Sequence, residues 1–246
     1  MCRMVGVVFR REFPMEFLCD LRSVAQHGEV PDRGDEPTGH RDGWGIWSFM
    51  HGSPRLIGKS VRPAHVDESF DSALDDVHKL ERPNILIAHV RRGSKGGRTL
   101  ENTHPFASGN IVFAHNGTVK EFEPHTTRRP KGDTDSEKLF MLLMDRMDAT
   151  GDVVSALSSV VREDVPQYKY TGLVLMISDG MRLYCYRDFG EGEADWYYDL
   201  KLVQAKDCVV LFQETRLAIG SRALQVEKGE LVVVDKDLGM ERTRLA

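Results

Sequence analysis

Cys2 stands where removal of Met1 would leave a thiol and a free α-amine on one carbon, and its small side chain suits that processing. An α-amine has a pKa of about 7.7–8.0, so much of it is unprotonated near neutrality. It can take the thiol proton directly or through a water, making a nucleophile that carries its own base. Alone, Cys2 reads more simply as an incidental residue of a first strand. Sulfur attack on an amide carbon creates an oxyanion that needs pre-positioned donors. Asn116 offers a side-chain amide and Gly117 a backbone N–H with no Cβ in the way, although an isolated Asn-Gly pair also reads as a tight turn. Arg91 follows an apolar run, and its planar fork can bind a carboxylate or simply face solvent. Thr134-Asp135-Ser136-Glu137 has capping-box spacing before an apolar helical stripe. His40 and His104 lack metal-ligand spacing and read as structural residues, so neither metal nor cofactor is expected.

These residues need a scaffold. Short apolar, β-branched runs predict strands near Met4–Phe9, Trp44–Phe49, Ile85–Val90, Ile111–His115, Leu173–Ser178, Arg182–Tyr186, Val209–Phe212 and Leu231–Val234. Ser178-Asp179-Gly180 reads as a hairpin turn between two of them. Helical spacing appears from about Met15 to His27, ending at Gly28. It recurs through Phe70, Ala73, Leu74, Val77 and Leu80, along Leu139–Met147, and over Val153–Val161. Strands and helices do not alternate strictly, which disfavours a doubly wound parallel sheet and favours sheet on sheet with covering helices. Without repeat or linker, residues 2–246 are expected to form one domain.

Composition narrows the function class. Hydrophobic residues at 41% and charged residues at 29% are those of an ordinary globular chain. A net charge of −5 with scattered basic residues gives no footprint for nucleic acid. Arg128, Arg129 and Lys131 read as a solvated loop, and the polar segment Glu121–Lys131 as a mobile one near the proposed donors. With no membrane-length apolar run and no signal peptide, a cytoplasmic location is expected. Cys19, Cys185 and Cys208 lie among apolar residues and are expected to be buried, reduced thiols.

Five segments in register carry a resemblance: His40-Arg41-Asp42-Gly43-Trp44-Gly45 after Cys2, Ala88-His89-Val90-Arg91-Arg92-Gly93-Ser94, Glu101-Asn102-Thr103-His104-Pro105-Phe106, Ala114-His115-Asn116-Gly117 and Gly132-Asp133-Thr134-Asp135-Ser136-Glu137. Together they resemble the class II glutamine amidotransferases, stand-alone type, within the N-terminal-nucleophile hydrolases. The likeness is strong to about residue 140 and loose beyond. It implies an α+β fold, the four-layer αββα sandwich, and hydrolysis of the glutamine side-chain amide through a γ-glutamyl thioester on Cys2. It assigns the oxyanion to Asn116 and Gly117, the substrate carboxylate to Arg91, the substrate ammonium to Asp135, and contacts to Arg92 and Ser94. Arg92 occupies a position where many relatives have an aromatic residue, so only a backbone contact is carried over. No acceptor module fits after the hydrolase domain. The ammonia is therefore expected to reach a separate acceptor subunit, or the substrate is a γ-glutamyl amide or peptide hydrolysed by water. A non-catalytic regulatory protein on the same scaffold, with Met1 retained, is the remaining alternative.

Overall fold

Val5, Val7 and Phe9 face one way along β1 (Arg3–Phe9) and Met4 and Val8 the other, and every residue of the strand is buried. A strand buried on both faces must lie inside a sandwich. The computed structural model describes residues 2–12, 14–31, 38–218 and 223–245, so the expected removal of Met1 falls outside it. In chain order β1 is followed by α1 (Met15–His27), β2 (Trp44–Met50), β3 (Ser53–Ser60), α2 (Glu68–His78), β4 (Asn84–Val90), β5 (Phe106–Ser108) and β6 (Ile111–Asn116). Next come α3 (Asp135–Thr150), α4 (Val153–Ser159), β7 (Gly172–Ser178), β8 (Arg182–Phe189), β9 (Lys201–Gln204), β10 (Cys208–Phe212), β11 (Leu224–Gln225), β12 (Glu230–Asp235) and β13 (Met240–Arg244).

Two antiparallel sheets result, ordered β11-β9-β10-β1-β4-β2-β3 and β13-β12-β8-β7-β6-β5. Their inner faces meet through Met4, Val8, Ile85 and Ile87 against Val112, Ala114, Val174 and Met176. Helices α1 and α2 cover the first sheet, with Leu18, Leu21, Phe70 and Val77 packed on Val5 and Val7. Helices α3 and α4 cover the second through Leu139, Phe140 and Leu157 on Phe113 and Leu175. This is the expected αββα sandwich.

All eight expected strands are present, and Asp179 closes the β7–β8 hairpin by accepting from the N–H groups of Met181 and Arg182. The unforeseen strands β3 and β13 are largely exposed sheet edges without apolar alternation, and β5, β9 and β11 span only two to four residues. Leu80 is buried just beyond α2, which stops at His78. Cys185 and Cys208 are buried, but Cys19 is exposed, correcting the expectation for it. The reason is helical phase: α1 buries Phe17, Leu18, Asp20, Leu21, Val24 and Ala25, and position 19 falls on the opposite face.

The segment around Trp44 shows what holds this end of the first sheet. Trp44 is fully buried, packs edge-on against Phe70 at 4.9 Å, and its indole N–H donates to Asp67 Oδ2 at 3.0 Å. Asp67 also caps α2, accepting from Ser69 N–H at 3.1 Å. A Cβ on the neighbouring Gly45 would stand 2.4 Å from the carbonyl oxygen of His104, so glycine allows the His104 backbone to lie against the sheet. Asp67→Ala removes the cap and orphans a buried indole N–H. Urea unfolding is expected to show a loss of about 1–3 kcal/mol, and an unchanged midpoint would contradict this account.

Candidate active site

Cys2 sits at the start of the central strand of the first sheet, and Asn116 at the end of β6 in the second. Parity along β6 turns Ala114 and Val112 toward the inter-sheet core, so Asn116 points there too, while His115 faces α3. The Cys2 nitrogen donates to Asn116 Oδ1 at 2.8 Å. That contact orients the amide, and among the described residues Asn116 Nδ2 is left buried without a partner. The Cys2 thiol lies 3.8 Å from the carbonyl oxygen of Arg92. After β6 the chain turns at Gly117 with φ +151°, where a Cβ would stand 1.8 Å from the Gly172 carbonyl oxygen. No other residue fits that bend.

Around the thiol is a cavity of about 20 Å³ lined by Cys2, Arg91, Arg92, Ser94, His104 and Asp135, among others. That volume holds about one water. Arg91 Nη2 donates to the carbonyl oxygens of Lys95 and Gly96 at 3.1 and 3.3 Å. The fork expected to take a carboxylate is folded onto its own loop. Asp42 holds the start of that loop, accepting from Gly93 N–H at 2.8 Å and pairing with Arg98 at 2.6 Å.

The structure gathers Cys2, Asn116, Gly117, Arg91, Arg92, Ser94 and Asp135 at one end of the sandwich. Arg92 turns its side chain away, donating to Gly39 O at 3.1 Å, and presents its carbonyl to the thiol. Ser94 Oγ is 2.9 Å from Thr118 Oγ1. Asp135 opens α3 and accepts from Val119 N–H at 2.6 Å. Thr134 caps the helix through Glu137 N–H at 3.2 Å. Glu137 does not complete a capping box; its carboxylate accepts from Lys131 and Gly132 N–H at 2.8 and 2.6 Å and so stiffens the approach to Asp135. Asp145 pins the upstream segment, accepting from Thr126 Oγ–H and Thr127 N–H at 2.7 Å each.

Three histidines contribute more than their sequence setting suggested. His115 Nε2–H donates to Gly172 O at 3.1 Å, so Nδ1 accepts from Ser136 Oγ–H at 2.9 Å. This ties the Asn116-Gly117 strand to the helix start that carries Asp135. Sequence parity alone marks His115 as facing away from Asn116, but its partner is distant in sequence. His89 and His104 lie with ring centroids 4.5 Å apart and planes tilted by 30°, and among the described residues none of their ring nitrogens makes a hydrogen bond. His40 is buried beneath Gly28. Burial drives His89 and His104 well below the ordinary imidazole pKa of 6.5, with Arg91 adding to the effect on His89.

The sequence pattern of the class-II glutamine amidotransferases matches residues 1–236, and the chain belongs to that family of glutamine-hydrolysing enzymes. It is 28% identical to YafJ of Escherichia coli K12, which carries the label of a glutamine amidotransferase, over 76% of this chain and 72% of that one. An uncharacterised protein of Methanocaldococcus jannaschii is also 28% identical, over 77% of this chain but 51% of its own length. The chain thus spans about half of that relative and 38% of a Haemophilus influenzae relative. Among solved structures, a class-II domain protein of Silicibacter pomeroyi aligns over all of both chains with TM-score 0.60 and 19% identity. The glutamine phosphoribosylpyrophosphate amidotransferase of B. subtilis aligns with TM-score 0.64 and 17% identity, over all of this chain and 49% of that one. These likenesses establish the fold. Among the described residues no helix is long and apolar enough to cross a membrane.

The buried imidazoles set a pH dependence. In the unfolded chain they bind protons near pH 6.5; folded, they resist protonation. Their stabilising effect is complete above about pH 6.5 and is lost as pH falls below it, at up to about 1.4 kcal/mol per pH unit for each ring. The melting temperature is expected to fall between about pH 7 and pH 5.5, and less steeply in His104→Gln. Identical pH profiles for the two proteins would contradict this.

Proposed function

We propose that residues 2–246 act as one glutaminase domain in which Cys2, exposed by loss of Met1, is the nucleophile. Glutamine's α-carboxylate displaces the Lys95 and Gly96 carbonyls from Arg91, and its ammonium pairs with Asp135. Ser94 and the Arg92 backbone line the same pocket. The Cys2 α-amine takes the thiol proton, and the sulfur bonds to the carboxamide carbon while the carbonyl electrons move to oxygen. Asn116 Nδ2–H and Gly117 N–H stabilise that oxyanion. The C–N bond then breaks, the protonated amine returns its proton to the departing nitrogen, and ammonia leaves. Water attacks the γ-glutamyl thioester, releasing glutamate and restoring the thiol.

One observation carries this reading: Asn116 Nδ2 is buried and unpartnered beside the cysteine whose nitrogen its other amide atom already holds. A buried amide donor left unpaired costs about 1–3 kcal/mol, which an oxyanion there would recover. The ammonia is released for an acceptor; water as sole acceptor would make the enzyme a γ-glutamyl amide hydrolase with the same chemistry.

Cys2→Ala is expected to abolish glutamate release while leaving the circular dichroism spectrum unchanged. Asn116→Ala is expected to lower kcat by about 10²–10³, and Arg91→Gln to act chiefly on KM. Full activity in Cys2→Ala, or an active protein whose intact mass still includes Met1, would refute the mechanism. Comparing glutamine with γ-glutamyl dipeptides as substrates separates the two acceptors.

A further inference from the structure

A second cavity of about 530 Å³ opens between the free edges of the two sheets, where β3 ends one and β5 ends the other. Trp47 and Lys59 form one wall, Phe106 and Phe140 another, and Arg129 and Lys131 stand at the mouth. None of its lining residues lines the thiol cavity.

Its polar inventory is one-sided. Lys59 Nζ makes a single hydrogen bond, to Pro105 O at 3.3 Å, and an ammonium has three protons to place. The indole Nε1 of Trp47 is buried with no partner. Among the described residues, Arg129 and Lys131 enter no ion pair. Arg128, also in the lining, differs because Asp145 and Asp148 neutralise it. On the acidic side, both Glu137 oxygens are occupied by the N–H groups of Lys131 and Gly132, and Glu101 is exposed. Lys59, Arg129 and Lys131 thus face two carboxylates, Glu101 and Glu137, leaving an excess of positive charge beside the Phe106 ring, over which Lys59 Nζ lies at 5.6 Å. Burial pushes the Lys59 pKa down to about 8 against the opposing pull of Glu137 and Glu101, a cost that a bound anion would offset.

We propose that this cavity binds a small organic anion, a carboxylate or phosphate ester on an apolar or aromatic body. Lys59 holds the oxyanion, Trp47 and Phe106 flank the body, and Arg129 and Lys131 steer the charge. The ligand would be felt at the thiol. Phe106 packs at a tilt against His104 at 4.3 Å, His104 lines the thiol cavity, and Glu137 anchors the segment that leads to Asp135.

Isothermal titration calorimetry of the full chain with phenyl phosphate, benzoate and inorganic phosphate tests this without reference to hydrolysis, so its failure leaves the glutaminase reading intact, and the reverse. Phenyl phosphate or benzoate is expected to bind, and the tighter of the two identifies the headgroup. Inorganic phosphate should bind about tenfold more weakly, because it lacks the body that Trp47 and Phe106 flank. Lys59→Gln is expected to weaken binding about tenfold, and the exposed Arg129→Gln, which carries little folding risk, about threefold. Absence of binding by both organic probes would overturn the proposal. So would unaltered affinity in both variants, or inorganic phosphate binding as tightly as phenyl phosphate.

Discussion

The 2.8 Å contact between the Cys2 nitrogen and Asn116 Oδ1 joins two sheets that share no backbone hydrogen bond. Stacked sheets sit about 10 Å apart, a gap set by the side chains between them. Here Met4 and Val8 meet Ala114, Val174 and Met176, and that packing decides whether a strand start in one layer reaches a strand end in the other. The contact also settles which way the Asn116 amide faces. Because the cysteine nitrogen is a donor, Oδ1 must face it, and Nδ2 is turned away from it. A core substitution that altered the layer spacing would therefore disturb the chemistry without touching a polar residue.

The rest of the site is built around a small pocket that is partly satisfied by itself. Arg91 engages one guanidinium nitrogen, Nη2, with two carbonyls of its own loop. In the proposed mechanism substrate binding is an exchange, with a carboxylate displacing two neutral carbonyls from Arg91 Nη2. A charge-assisted bidentate pair is stronger than neutral contacts, so the exchange can run downhill. The oxyanion side needs no such change. Gly117 is locked by Gly172, and His115 ties that strand to Ser136 at the head of α3. On the proposed mechanism, fixed donors would serve transition-state stabilisation and Arg91 substrate capture.

Much of this was legible in the residues. Strands with alternating or continuous apolar runs were found because burial on one or both faces leaves a periodic trace, and Met15–His27 was bounded by its own stripe and Gly28. Edge strands such as β3 and β13 left no trace, since exposure removes the constraint on side-chain type. Cys19 was misplaced because an apolar neighbourhood in sequence is not a face of a helix. Glu137 sits at the capping-box position, yet its carboxylate serves the loop before the cap.

The chain alone determined the identities that chemistry requires: a thiol at position two, an amide followed by a glycine, a guanidinium closing an apolar strand, and a carboxylate opening a helix. Those follow from residue type and local spacing. Tertiary structure alone decided that Cys2 and Asn116, far apart in sequence, meet across the sandwich. It also decided that Arg91 is occupied by its own loop, that His89 and His104 are buried without hydrogen bonds, and that Lys59 and Trp47 face one cavity. The physical reason is that hydrogen bonds, desolvation and charge act through distances between side chains, and only the packing of one layer on another sets those distances.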